Sequence, residues 1–164
     1  MPRMDRIKPP MLGGLIAAAI IVVDQIVKMW ILYGIELPIR RTIEVLPFFS
    51  LTMVENRGVS FGMFAGDSAW GPWLLTGLAG VIVIALAVWL WRTPSRLSVA
   101  ALGLIIGGAV GNVVDRLNHG AVVDFLDVHA AGWHWPAFNV ADSAICVGAA
   151  ILVLESLFTR DETS

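Results

Sequence analysis

Residues 97–117 read LSVAALGLIIGGAVGNVVDRL. The run is apolar for about fifteen residues and then closes on Asn112, Asp115 and Arg116. Its length matches the roughly 20 residues that a helix needs to cross the hydrocarbon of a bilayer. Gly103, Gly107 and Gly111 recur every fourth residue, which gives the helix a small-residue face for close approach to a neighbour. A span that ends in charged and amide groups sets both the fold class and the functional question, because an ionisable group at the edge of hydrocarbon is costly unless it is paired or hydrated.

The rest of the 164-residue chain agrees with a membrane reading. It is 57% apolar and 15% charged, with a mean hydropathy of +0.79. Soluble domains contain about 45–50% apolar and about 25% charged residues. Four spans are expected, over 11–33, 70–91, 97–117 and 138–158. The first is too long for a signal peptide, and Asp24 and Lys28 interrupt its second half, so it reads as retained. With no linker, low-complexity tract or repeat, the chain reads as a single domain over 1–164. A net charge of −2 gives no footprint for nucleic acid. Cys146 is the only cysteine; it reads as a small packing residue in an apolar run.

Basic residues set an orientation. Arg3, Arg6 and Lys8, then Arg92 and Arg96, then Arg160 lie on one side; Arg40, Arg41, Arg57 and Arg116 lie on the other. The bias puts both termini and the 92–96 turn in the cytoplasm. Asp24 and Lys28, then Asn112, Asp115 and Arg116, then Asn139 and Asp142 all fall at the outer end of their spans. The outer loops, 34–69 and 118–137, share that side. Within them, 42–64 and 121–129 are rich in β-branched and aromatic residues, with a turn at Asn56-Arg57-Gly58. A small β platform on the outer leaflet is expected, with Phe48, Phe49, Trp133 and Trp135 at headgroup depth.

Each polar group also has a purely structural reading. Asp142 lies three residues after Asn139, the pattern of a helix cap with an acid in the first turn. Asp124 alternates with apolar neighbours, as on the solvent face of a strand. Arg116 pairs with Asp115 or Asp124, or extends to the interface. Asp24 and Lys28 sit one turn apart with the acid first, the favourable order for an ion pair. His119, His129 and His134 lack metal-site spacing, so no metal is expected. Ser60 and Ser143 have no evident partner base. Two carboxylates brought together remain the minimum equipment for activating water.

DQIVK at 24–28, ENRGVSFGMF at 55–64, GNVVDR at 111–116, VVDF at 122–125 and FNVAD at 138–142 occur in this order in one four-span chain. Taken together they resemble lipoprotein signal peptidase, the bacterial type II signal peptidase, from the first span to the fourth. The resemblance implies an intramembrane aspartic endopeptidase of the cytoplasmic membrane that needs no cofactor. Its substrates would be diacylglyceryl-modified prolipoproteins, cut immediately before the lipidated cysteine. It implies a catalytic pair of Asp124 and Asp142, with Asn56, Asn112, Arg116 and Asn139 holding substrate or the pair. Asp24, Lys28 and Asp115 would support the fold. Membrane lipid and prolipoprotein are the expected partners, and the chain is expected to act as a monomer. Two other classes fit the residues alone: a small proton-coupled transporter using Asp24, Asp115 and Asp142 as a relay, and a structural membrane subunit.

Overall fold

The computed structural model describes residues 8–58 and 71–160. Arg3, Arg6, Ser60 and the 59–69 part of the first outer loop lie outside the described residues. Four helices are long and apolar enough to span, over Pro9–Gly34, Trp73–Arg92, Arg96–His119 and Val140–Phe158. The first is α1 (Pro9–Met29), with proline at its start, continued by a π-helical turn over Trp30–Gly34. A short α2 (Leu37–Arg40) leads into the strands β1 (Thr42–Leu46) and β2 (Phe49–Asn56). Then come α3 (Gly71–Arg92), α4 (Arg96–His119), β3 (Val122–Ala130), β4 (Trp133–His134) and α5 (Val140–Arg160).

Local chemistry explains the boundaries. The Ser95 hydroxyl accepts the Ser98 N–H at 3.2 Å and caps α4. Arg116 and His119 stand in its last turn, and Gly120 (φ 71°) ends it in the left-handed conformation that glycine adopts without strain. At α5 the Asn139 side chain accepts the Asp142 N–H at 2.9 Å. In return Asp142 Oδ2 accepts the Asn139 N–H at 3.3 Å, a reciprocal cap. The fourth helix therefore starts at Val140, two residues later than the span read from sequence, because Phe138 bridges to Leu126 of β3 instead.

Helix α4 is central, packed on α1, α3 and α5. Its glycines make this possible. A β-carbon on Gly103 would lie 2.6 Å from the Gly13 carbonyl, and one on Gly107 2.7 Å from the Ala17 carbonyl, both on α1. Gly111 instead leaves room for the Asp24 carboxylate, 2.8 Å from the would-be β-carbon. Gly108 and Gly148 serve the α4–α5 contact, facing the Ala141 and Ala101 carbonyls. Overpacking costs about 1–3 kcal/mol, so Gly108→Ala should lower the thermal unfolding midpoint in detergent. Gly77→Ala on α3 has nothing within 4 Å of the new methyl and should not.

The strands form one antiparallel sheet in the order β1-β2-β3-β4. Its apolar face seats Val123 and Phe125 on Ile31 and Leu37, so the sheet is packed against the π-helical turn that follows α1 and against α2. Ala131 (φ 50°) and Gly132 (φ 81°) make the two-residue turn between β3 and β4, with the positive φ that such hairpins require. Trp133, Trp135 and Phe48 are exposed. Cys146 is exposed on the outer side of α5, not packed between helices as its apolar surroundings imply.

Candidate active site

The end of α4, the start of α5, the start of β3 and the end of β2 meet at one place. Asp124, on β3, is 1% exposed. That removes the solvent-facing strand reading, since the Asn56 amide donates to its Oδ2 at 3.0 Å and the Asn139 amide to its Oδ1 at 2.7 Å. Asp142 receives the Asn112 amide on Oδ1 at 2.8 Å and the Asn139 backbone N–H on Oδ2 at 3.3 Å. Capping thus occupies one oxygen of Asp142, and the other faces the cluster. Asn139, fully buried, bonds both carboxylates and also donates toward Asn112 Oδ1 at 3.2 Å. The two aspartates belong to one hydrogen-bonded unit whose centre is Asn139.

Electrostatics couple the pair. Burial raises the Asp124 carboxyl to about 6, and the neighbouring Asp142 charge pushes the same way. The Asn56 and Asn139 hydrogen bonds and the Lys28 charge act against this, because they favour the ionised form. Removing one such donor must raise the value further. Asn56→Ala should therefore shift the titration of the Asp124 carboxylic-acid band, followed by infrared spectroscopy, to higher pH. A downward shift would contradict the assignment.

A second buried cluster backs the first. Lys28 Nζ lies 2.8 Å from Asp24 Oδ2 and 2.7 Å from Asp115 Oδ2, all three side chains being at most 3% exposed. Its third contact is Asn112 Oδ1 at 3.3 Å, which joins this cluster to the Asp142 side of the first. Gln25, a residue that the sequence reading passed over, donates to Asp115 Oδ1 at 2.9 Å and Asp24 Oδ2 at 3.2 Å. Its place one residue after Asp24 was the available signal. Arg116 forms no ion pair with Asp115 or Asp124 among the described residues, so that reading of it is not what the fold adopts. Its buried Nε has no hydrogen-bond partner among the described residues, and the guanidinium lies within electrostatic reach of Asp142, Asp124 and Asp115.

The histidines lie elsewhere. His129 and His134 stack at 4.9 Å on the sheet, bonded to Ser50 at 3.0 Å and Asp127 at 2.8 Å, and His119 is exposed. No group of three or more potential ligands that could hold a metal ion occurs among the described residues. Ser143 donates to the Asn139 carbonyl at 2.9 Å.

Fold and site define a multi-pass membrane protein with an amide-clamped carboxylate pair, Asp124 buried and Asp142 half-buried, at one end of its helices. The family model described as Signal peptidase (SPase) II matches residues 16–158. A lipoprotein signal peptidase of Methylobacterium sp. (strain 4-46) is 47% identical over 153 residues, covering 93% of each chain. One from Yersinia enterocolitica is 40% identical, covering 90% of this chain and 87% of its own. A bacterial membrane enzyme solved by the in meso method superposes with a TM-score of 0.78 at 28% identity. The likeness covers 93% of this chain and 91% of that one. The chain belongs to the signal peptidase II family, and is a bacterial multi-pass membrane peptidase. The transporter reading has no support in these likenesses.

Proposed function

We propose that this single-domain peptidase, 1–164, removes signal peptides from diacylglyceryl-modified prolipoproteins, cutting before the lipidated cysteine with Asp124 and Asp142 as its catalytic pair. The observation that carries the reading is the fully buried Asn139 holding both carboxylates in one hydrogen-bonded unit, at 2.7 Å and 3.3 Å. The names of the relatives support the substrate class.

Two interacting carboxyls away from water do not both ionise readily, so one keeps its proton. The ionised carboxylate takes a proton from water as the water oxygen attacks the scissile carbonyl carbon. The protonated carboxyl donates to the carbonyl oxygen, giving a neutral tetrahedral diol. Collapse breaks the C–N bond and the amine of the cysteine leaves with a proton from the pair. The signal peptide departs with a new carboxyl group. The pair titrates as a unit. Asn112 and Asn56 hold the carboxylates in place. The unpartnered Arg116 Nε supports a role in orienting the peptide and its developing oxyanion.

The basic-residue bias supports cytoplasmic termini and a site near the outer face, where a substrate anchored by its acyl chains presents its peptide bond. In that placement the chain works as a monomer surrounded by lipid. Purified protein should cut a diacylglyceryl-modified precursor, leaving a mature chain that starts at the modified cysteine by mass spectrometry. The unmodified precursor should stay intact; equal cutting of both would remove lipid recognition from the reading.

A further inference from the structure

The buried ion cluster touches the catalytic elements at two matching points. Asp24 Oδ1, from α1, accepts the backbone N–H of Ala141 at 2.9 Å. Ala141 is the residue immediately before Asp142. Asp115 Oδ2, from α4, accepts the backbone N–H of Val123 at 3.1 Å. Val123 is the residue immediately before Asp124. Lys28 Nζ bonds both carboxylates, and Gln25 bridges them as well, donating to Asp115 Oδ1 and to Asp24 Oδ2, the oxygen that Lys28 also holds. None of these four side chains hydrogen-bonds Asp124 or Asp142 themselves.

We infer that Asp24 and Asp115 are positioning residues: each pins the peptide N–H that precedes one catalytic aspartate, and Lys28, by holding both, fixes the spacing of the pair. The inference rests on the two-aspartate reading. The chemistry fits the need. Asp124 starts from a strand and Asp142 from a helix, two elements joined by a turn and a two-residue strand, and a mismatch of about 1 Å at a reacting centre costs on the order of 10²-fold in rate. Each carboxylate supplies an acceptor to a buried N–H, which cannot be left unbonded without cost. The side chains are at most 3% exposed, so water does not substitute for them readily.

The inference separates two properties that a purely structural cluster would keep together. Asp115→Asn loses the ion pair with Lys28 but keeps an oxygen for the Val123 N–H. Asp115→Ala loses both. Purified variants are compared by thermal unfolding and by kcat and KM on a lipidated precursor, per folded molecule. Both should lose thermal stability, Asp115→Ala the more because it also strands the Val123 N–H, so rates are compared per folded molecule. Asp115→Ala should lose about 10²-fold in kcat with KM little changed, and Asp115→Asn less than about 10-fold. Asp24→Asn and Asp24→Ala give the same contrast through Ala141 and carry the test where an Asp115 variant does not fold. Equal kcat per folded molecule in the asparagine and alanine forms, or losses that follow stability alone, would overturn the inference. Asp124→Asn, run beside them, reports on the catalytic reading separately: retained cleavage there sinks the pair itself, whatever the positioning variants do.

Discussion

Asp124→Asn and Asp142→Asn should each lower cleavage of a lipid-modified precursor by at least about 10²–10⁴-fold while leaving a folded protein. General acid or base catalysis accounts for a factor of that size, and an amide can neither take the proton from water nor return it. Folding should survive because asparagine is nearly isosteric. At Asp124 the asparagine carbonyl oxygen can accept from only one of the Asn56 and Asn139 donors, which costs one hydrogen bond, about 0.5–1.5 kcal/mol, and not the fold. At Asp142, asparagine can preserve the exchange with Asn139 that starts α5. Rates per folded molecule, with the thermal midpoint measured alongside, check this. Substantial cleavage by either stable variant would return that aspartate to a capping or packing role.

Lys28→Met should produce the largest loss of stability of any single change in the helices. It leaves Asp24 and Asp115 facing each other, 0% and 1% exposed, with their shared cation gone. Breaking a buried pair by removing one partner costs about 3–5 kcal/mol, because the remaining charge is uncompensated. The Asn112 carbonyl oxygen would lose its Lys28 donor as well. Thermal unfolding in detergent should show a clear fall in midpoint, and Lys28→Met combined with Asp24→Asn should recover part of it by removing one of the two stranded charges. An unchanged midpoint would mean that the cluster is hydrated.

Much of this arrangement was legible from residue types and order. Four apolar runs separated by polar ends gave the spans, and the fall of Asp24, Asn112, Asp115, Asn139 and Asp142 at matching depths predicted their convergence. The alternation in 121–129 gave β3. What sequence could not supply was which oxygen does what. Asp142 looked like either a cap or a catalyst, whereas its two oxygens divide between the cap and Asn112. Asn139 read from its spacing as a cap, and only the family resemblance tied it to the pair; its amide reaches Asp124 on a strand fifteen residues earlier. Gln25 was passed over because its one signal, a place beside Asp24, carries no helical periodicity to say that it turns toward Asp115. Of the readings open to Arg116, pairing with Asp115 or Asp124 is not what the fold adopts, because those carboxylates are held by Lys28 and by amides. Cys146 sits in an apolar run that faces outward, and in a membrane span apolar composition does not distinguish the packed face from the lipid face.

The coupling between the two carboxyls is the most direct test of the pair. Infrared titration of the purified protein should show a carboxylic-acid band lost with a midpoint of about 6 in the unsubstituted chain. In Asp142→Asn the midpoint should fall, because the neighbouring negative charge that raises it is gone. A midpoint that stays in place in Asp142→Asn would mean that the aspartates do not sense each other, and the proposed mechanism would fail.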